Sequence, residues 1–210
     1  GIDGIIHTID MVPCSEEIRW PIVRGESDPI VEFLSRQEVW DDVADPKWVQ
    51  HINQLTGLSG SVMQSFKSHK IDFAFIDGGH GFRSVLHDFL ITLINASDNI
   101  GILFDDYSTE EWGVGTQKLV ANYVLPFTHG QLIQTDRRWS GGEKEHLLDN
   151  STGMFWVESS SPDQWIYHIQ KRISIFSFLT GYRIWEIYYR IRLMLARKFH
   201  VISDFVRKHL

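Results

Sequence analysis

Ile71-Asp-Phe-Ala-Phe-Ile-Asp-Gly-Gly-His80 and, further on, Ile102-Leu-Phe-Asp-Asp-Tyr107 are two short apolar runs, each ending in acid. Both have the length and boundaries of buried strands. Between them, Phe82 to Ser97 places Val85, Leu86, Phe89, Leu90, Leu93 and Ile94 on one side of a helix. Strand, helix, strand predicts a right-handed crossover between parallel neighbours, and ligands of such sheets bind beyond the carboxyl ends of the strands. Asp77, His80, Asp105 and Asp106 all fall at that edge.

Carboxylates gathered in one place repel and raise one another's pKa unless a cation or a set of donors compensates. Oxygen ligands without cysteine suit Mg²⁺, or similarly hard Mn²⁺ or Ca²⁺, better than zinc. His80 stands three residues past Asp77. With an ordinary pKa of about 6.5, an imidazole there can take a proton near neutral pH. Taken singly, Asp77-Gly78-Gly79 reads as a turn and Asp105-Asp106 as a turn with a helix cap. At equivalent strand ends, together, they read as a site. His80 has its own alternative, a loop histidine capping the helix that follows.

These motifs, with Val85 and Asp88 between them, resemble the metal-dependent class I O-methyltransferases that use S-adenosylmethionine, in particular the macrocin-type group acting on sugars and natural products. The resemblance covers roughly residues 5–157, with its specific motifs confined to 72–107. It implies an α/β fold, a Rossmann-like doubly wound sheet that is mostly parallel with a late antiparallel strand pair. It implies that Asp77, Asp105 and Asp106 bind the metal and that His80 is the general base. Asp10, at the end of an opening strand over 5–9, matches the acid that takes the ribose hydroxyls of the cofactor. On its residues alone, Asp10 reads as a strand-terminal acid starting the turn at Pro13. The family's Gly-rich loop should precede that strand, yet no Gly-x-Gly-x-Gly stands there, and the expectation is a fragment lacking the first strand and helix. Family members often carry an acid for the adenine in the turn where this chain has Leu58 and Ser59.

The 210 residues, 43 % of them apolar, are enough for one compact core. The domain expected spans 1–160, followed by a basic helical extension over 161–210. No run is long enough to cross a bilayer and the opening residues show no positively charged start followed by an apolar stretch and a cleavage site, so the expectation is a cytoplasmic protein, with peripheral membrane contact as an addition. The lone Cys14 forms no internal disulfide. The net charge of −7 is uneven: 166–210 holds nine Lys/Arg against two acids, +7, leaving −14 elsewhere. Such a body excludes broad nucleic-acid binding, whereas the tail suits an acidic surface.

Residues 11–50 make a long, Pro-punctuated connection with Trp20, Trp40 and Trp48 as apolar anchors, either a substrate wall or ordinary packing. Ser27-Asp28-Pro29 and Asp45-Pro46 carry a capping residue followed by Pro, predicting two helix starts. Residues 51–56 are ambiguous between helix and strand, and Ser59-Gly60-Ser61 opens a short helix through Phe66. A helix runs from Gly113 towards Tyr123, and Gln131–Thr135 and Gly153–Val157 read as two closing strands, separated by a polar loop with Arg137 and Arg138. From Tyr182, Ile184, Tyr188, Ile191, Leu195, Phe199, Ile202 and Val206 recur at helical spacing, with Arg183, Arg190 and Arg197 seven apart on another face. Residues 182–207 thus form a basic amphipathic helix that docks on the domain, pairs with a second copy, or lies on an anionic membrane; docking or pairing is the simpler expectation.

The function implied is metal-assisted methyl transfer from S-adenosylmethionine to a hydroxylated small molecule or sugar. A metal-dependent hydrolase or hydroxylase would use the same acidic edge. A non-catalytic domain with a membrane- or partner-binding tail is the remaining alternative.

Overall fold

A computed structural model describes residues 4–22, 30–66, 70–108, 113–134 and 153–185, together with 187, 188 and 191. The strand–helix–strand expected from the sequence is present: β5 (Ile71–Ile76), α4 (Phe82–Ile94) and β6 (Ala96–Tyr107). Further strands are β1 (Ile6–Asp10), β2 (Glu17–Ile22), β3 (Ile30–Ser35), β4 (Ile52–Thr56), β7 (Gly130–Gln134) and β8 (Gly153–Ser159). The remaining helices are α1 (Arg36–Val43), α2 (Pro46–Val49), α3 (Ser59–Met63), α5 (Val114–Leu119), α6 (Pro162–Gln170) and α7 over 175–185.

Strands run β5-β6-β8-β7 in the largest sheet, with β5 and β6 parallel and the β6–β8 and β8–β7 pairs antiparallel. This is the α/β arrangement with a late antiparallel pair that the sequence implies. β1 and β4 form a separate parallel pair, with Asp10 opposite Thr56. α3 connects that pair to the rest by packing on both β1 and α4.

One face of the large sheet is covered. Ile100, Ile102 and Phe104 of β6 and Phe155 and Val157 of β8 alternate onto it, where α4 buries Val85, Leu86, Phe89, Leu90 and Leu93. Phe89 meets Phe104 at a ring separation of 5.6 Å and Trp165 of α6 at 5.7 Å. Trp165 and Ile169 therefore belong to the same core as the sheet, although they lie beyond residue 160. Ile94, expected on the inner side of α4, is exposed. The helix ends there, where Asn95 donates its side-chain N–H to the Ile91 carbonyl at 2.8 Å.

The connection over 11–50 holds an antiparallel hairpin that the proline punctuation did not reveal, β2 against β3, with Glu17 opposite Ser35 and Ile22 opposite Ile30. The helix start at Ser27-Asp28-Pro29 lies outside the described residues, and the chain from Ile30 is strand. The helix begins instead at Arg36, because Ser35 and Glu38 form a capping box: the Ser35 hydroxyl accepts from the Glu38 N–H at 3.2 Å, and Glu38 Oε2 accepts from the Ser35 N–H at 2.7 Å. Asp45 caps α2 as expected, accepting from the Lys47 N–H at 2.9 Å. α5 continues from Val120 to Val124 as a π-helical turn, closed by the Leu125 N–H donating to the Val120 carbonyl at 2.9 Å.

Candidate active site

Register alone brings two acids together. Ile76, the last residue of β5, is the partner of Phe104 of β6, so Asp77, just past the end of β5, follows beside Asp105, which is still within β6. The ladder between β6 and β8 then slips between Phe104 and Tyr107, and within that slip Asp106 adopts a left-handed backbone, φ 52°. Asp tolerates that region better than most side chains, and a bulge of this kind re-aims the residue it contains.

Asp106 Oδ2 lies 2.8 Å from His80 Nδ1. The imidazole is half exposed, 51 %, whereas its carboxylate partner is 14 % exposed, so the ring stands between a partly buried acid and solvent. The side chains of Asp77, His80, Asp105 and Asp106 line one open depression of about 180 Å³, together with Gly78, Gly79, Val85 and Thr116.

Two glycines let the loop sit close. A Cβ on Gly115 of α5 would come within 2.1 Å of the His80 carbonyl oxygen and 2.7 Å of the Phe82 nitrogen, so α5 rests directly on the backbone that carries His80. A Cβ on Gly78 would come within 2.6 Å of Asp88 Oδ2, so the α4 carboxylate leans over the loop from the other side. Asp88 also accepts from the Ser59 hydroxyl at the start of α3. Thr116 and Gly115 were missed in the sequence, where Gly113-Val-Gly-Thr116 signals only a helix start; small residues mark a close approach, but not what is approached.

Asp10 is not among the residues lining the depression. Its Oδ1 accepts from the Val12 N–H at 2.8 Å and its Oδ2 pairs with the Arg36 guanidinium. The carboxylate stands at the end of β1, as expected, held by a cation that the sequence did not associate with it. Arg137 and Arg138 lie outside the described residues.

The donor set at the depression, carboxylates and one imidazole, suits a hard divalent cation in chemistry. Among the described residues, however, no three His, Cys, Asp or Glu side chains are already gathered as a metal cage. The arrangement as it stands is a partly buried acid beside a histidine, flanked by two further carboxylates.

Residues 6–107, just under half of the chain, match the sequence profile of a methyltransferase domain. Solved structures with a similar chain path include the O-methyltransferase TomG from Streptomyces achromogenes, involved in tomaymycin synthesis and determined with S-adenosylmethionine, at 12 % identity and a TM-score of 0.49, over 76 % of this chain and 63 % of that one. Another is an O-methyltransferase from Bacillus cereus in complex with SAH, at 15 % identity and a TM-score of 0.41, over 57 % of this chain and 56 % of that one. The chain thus spans less than two-thirds of the length of either. A comparison with curated proteins finds no match.

Proposed function

We propose that this protein transfers the methyl group of S-adenosylmethionine to a hydroxyl oxygen of a small-molecule or sugar acceptor, a reading supported by the match of residues 6–107 to the profile of a methyltransferase domain. The observation that carries the reading is the His80–Asp106 pair at the mouth of the acidic depression. With Nδ1–H donating to Asp106, the tautomer is fixed and Nε2 presents its lone pair to the exposed side. In the reaction the acceptor O–H proton passes to Nε2, the oxygen forms a bond to the methyl carbon, and the carbon–sulfur bond breaks. The sulfonium leaves as the neutral thioether S-adenosylhomocysteine. The imidazolium formed beside the Asp106 carboxylate is stabilised by it, the role an orienting acid plays for a histidine base.

Asp77, Asp105 and Asp106 are the residues that would hold a hard divalent cation such as Mg²⁺. Bound there, the cation supplies a lowered pKa for the acceptor hydroxyl. Asp10, held by Arg36, accepts the ribose hydroxyls of the cofactor, since a carboxylate can take two at once.

The test measures binding of S-adenosylmethionine by calorimetry and transfer of a labelled methyl group to a panel of hydroxylated acceptors, with Mg²⁺ and with EDTA. Cofactor binding and label transfer, with transfer lost in EDTA and restored by Mg²⁺, are expected. No transfer to any acceptor by a protein that binds the cofactor would sink O-methylation; transfer untouched by EDTA would remove the cation from the proposal.

A further inference from the structure

The helix begun by α7 has two apolar faces, and the domain uses one. Ile175, Phe178 and Leu179 pack against the core, and the Tyr182 ring stacks on buried His87 with centroids 3.8 Å apart and planes 14° from parallel. These positions follow the spacing of a single helical stripe. Beyond them Ile184, Ile187, Tyr188 and Ile191 repeat the same spacing, yet they are 65, 54, 63 and 48 % exposed. At about 100° per residue the second stripe lies roughly half a turn from the first. Docking on the domain, one of the simpler expectations for this segment, therefore accounts for the inner stripe and leaves the outer one uncovered.

Charge separates the candidates for covering it. Arg183 is exposed and lies about a quarter turn from the outer stripe, and in the sequence Arg190 and Arg197 follow it at intervals of seven. Residues 166–210 carry +7 and the rest of the chain −14. A second copy meeting stripe on stripe would bring two +7 segments together. An anionic bilayer attracts the same segment and repels the acidic body, which orients the molecule with its helix down. Isoleucines with a tyrosine on one face and arginines flanking them are what an interfacial helix needs: apolar side chains enter the acyl boundary while guanidinium groups reach the headgroups. Among the described residues no helix is long and apolar enough to cross a membrane. We propose that the outer face of this helix, Ile184, Ile187, Tyr188 and Ile191 with Arg183 beside them, docks on anionic lipid bilayers.

The test is co-sedimentation of the full chain with phosphatidylcholine vesicles, with and without phosphatidylglycerol. Pelleting is expected with the anionic vesicles alone and weakens as salt is raised. Ile187→Glu with Ile191→Glu should abolish it, and Arg183→Gln with Arg190→Gln should weaken it about 30-fold, from roughly 1 kcal/mol per basic side chain near an anionic surface. Both pairs replace exposed or surface-patterned side chains, and unchanged circular dichroism confirms that they fold. The proposal is overturned by equal pelleting on neutral vesicles, by isoleucine variants that pellet like the parent, or by no pelleting at all. A dimer in sedimentation velocity that the isoleucine variants disperse, without pelleting, would overturn it in favour of a second copy.

Discussion

At the scale of single residues, what distinguishes this site is that its histidine has an identified partner. His80 on a loop would be an ordinary surface imidazole; 2.8 Å from the better-buried Asp106 it has a carboxylate that orients its ring. His80→Gln is therefore expected to lower kcat by roughly 10²-fold to 10⁴-fold, the usual worth of a positioned proton acceptor, while cofactor affinity measured by calorimetry stays within a small factor of the parent. Asp105→Asn should act differently if a cation is held there: the Mg²⁺ concentration for half-maximal activity rises, since an acidic oxygen is lost from the donor set. An Asp105 variant with unchanged Mg²⁺ dependence, beside a damaged His80 variant, would leave the histidine as base and remove the acid from any metal site.

At the scale of elements, the loop carrying His80 is shaped from outside by α5. Gly115→Ala sets a methyl against the backbone of residues 80–82, where nothing flexible can yield. Overpacking of this kind costs about 1–3 kcal/mol, so calorimetry should show a melting temperature lower by several degrees, with kcat/KM reduced because His80 shifts. Gly81→Ala is the control, since its Cβ would have nothing within 4 Å. A second element carries a pH signature. Hydrogen bonds from the Ser35 hydroxyl and N–H hold the Glu38 carboxyl below its ordinary pKa of 4.5. A depressed folded pKa means that the capping contribution to α1 is complete above the ordinary value and disappears as pH falls through the lowered one. The Ser35 amide resonance, followed by NMR during acid titration, should move with a midpoint below 4.5 and lose that step in Glu38→Gln. An unshifted midpoint would mean the box does not form in solution.

At the scale of the molecule, α6 and α7 are fastened to the sheet through few large side chains. Trp165 is buried against Phe89, which in turn meets Phe104 of β6, so one aromatic row runs from α6 through α4 to the strand that carries Asp105. Trp165→Ala should cost about 3–5 kcal/mol, read as a lower denaturation midpoint. Hydrogen exchange should then show amides over 162–182 losing protection before those of β5 and β6. Uniform loss of protection would instead mean that the helices and sheet unfold as one unit.

Much of this was legible before any coordinates. The apolar runs over 71–76 and 102–104, the amphipathic helix between them and the Asp45-Pro46 cap are written in spacing, because burial pattern and backbone period are properties of a segment taken alone. Placement of Asp77, Asp105, Asp106 and His80 at one edge followed from the same periodicities and the handedness of the crossover. The rest depended on relations between segments. The pairing of Asp106 with His80 needs a bulge whose left-handed residue is set by the slip between β6 and β8; the pairing of Asp10 with Arg36 needs the hairpin of β2 and β3 to turn the chain back. Proline punctuation could not disclose that hairpin, since prolines mark where a chain turns and not what it pairs with. Nor could helical spacing decide which stripe of α7 is covered: both are apolar, and only the position of His87 and the core behind it gave one of them a surface to pack against.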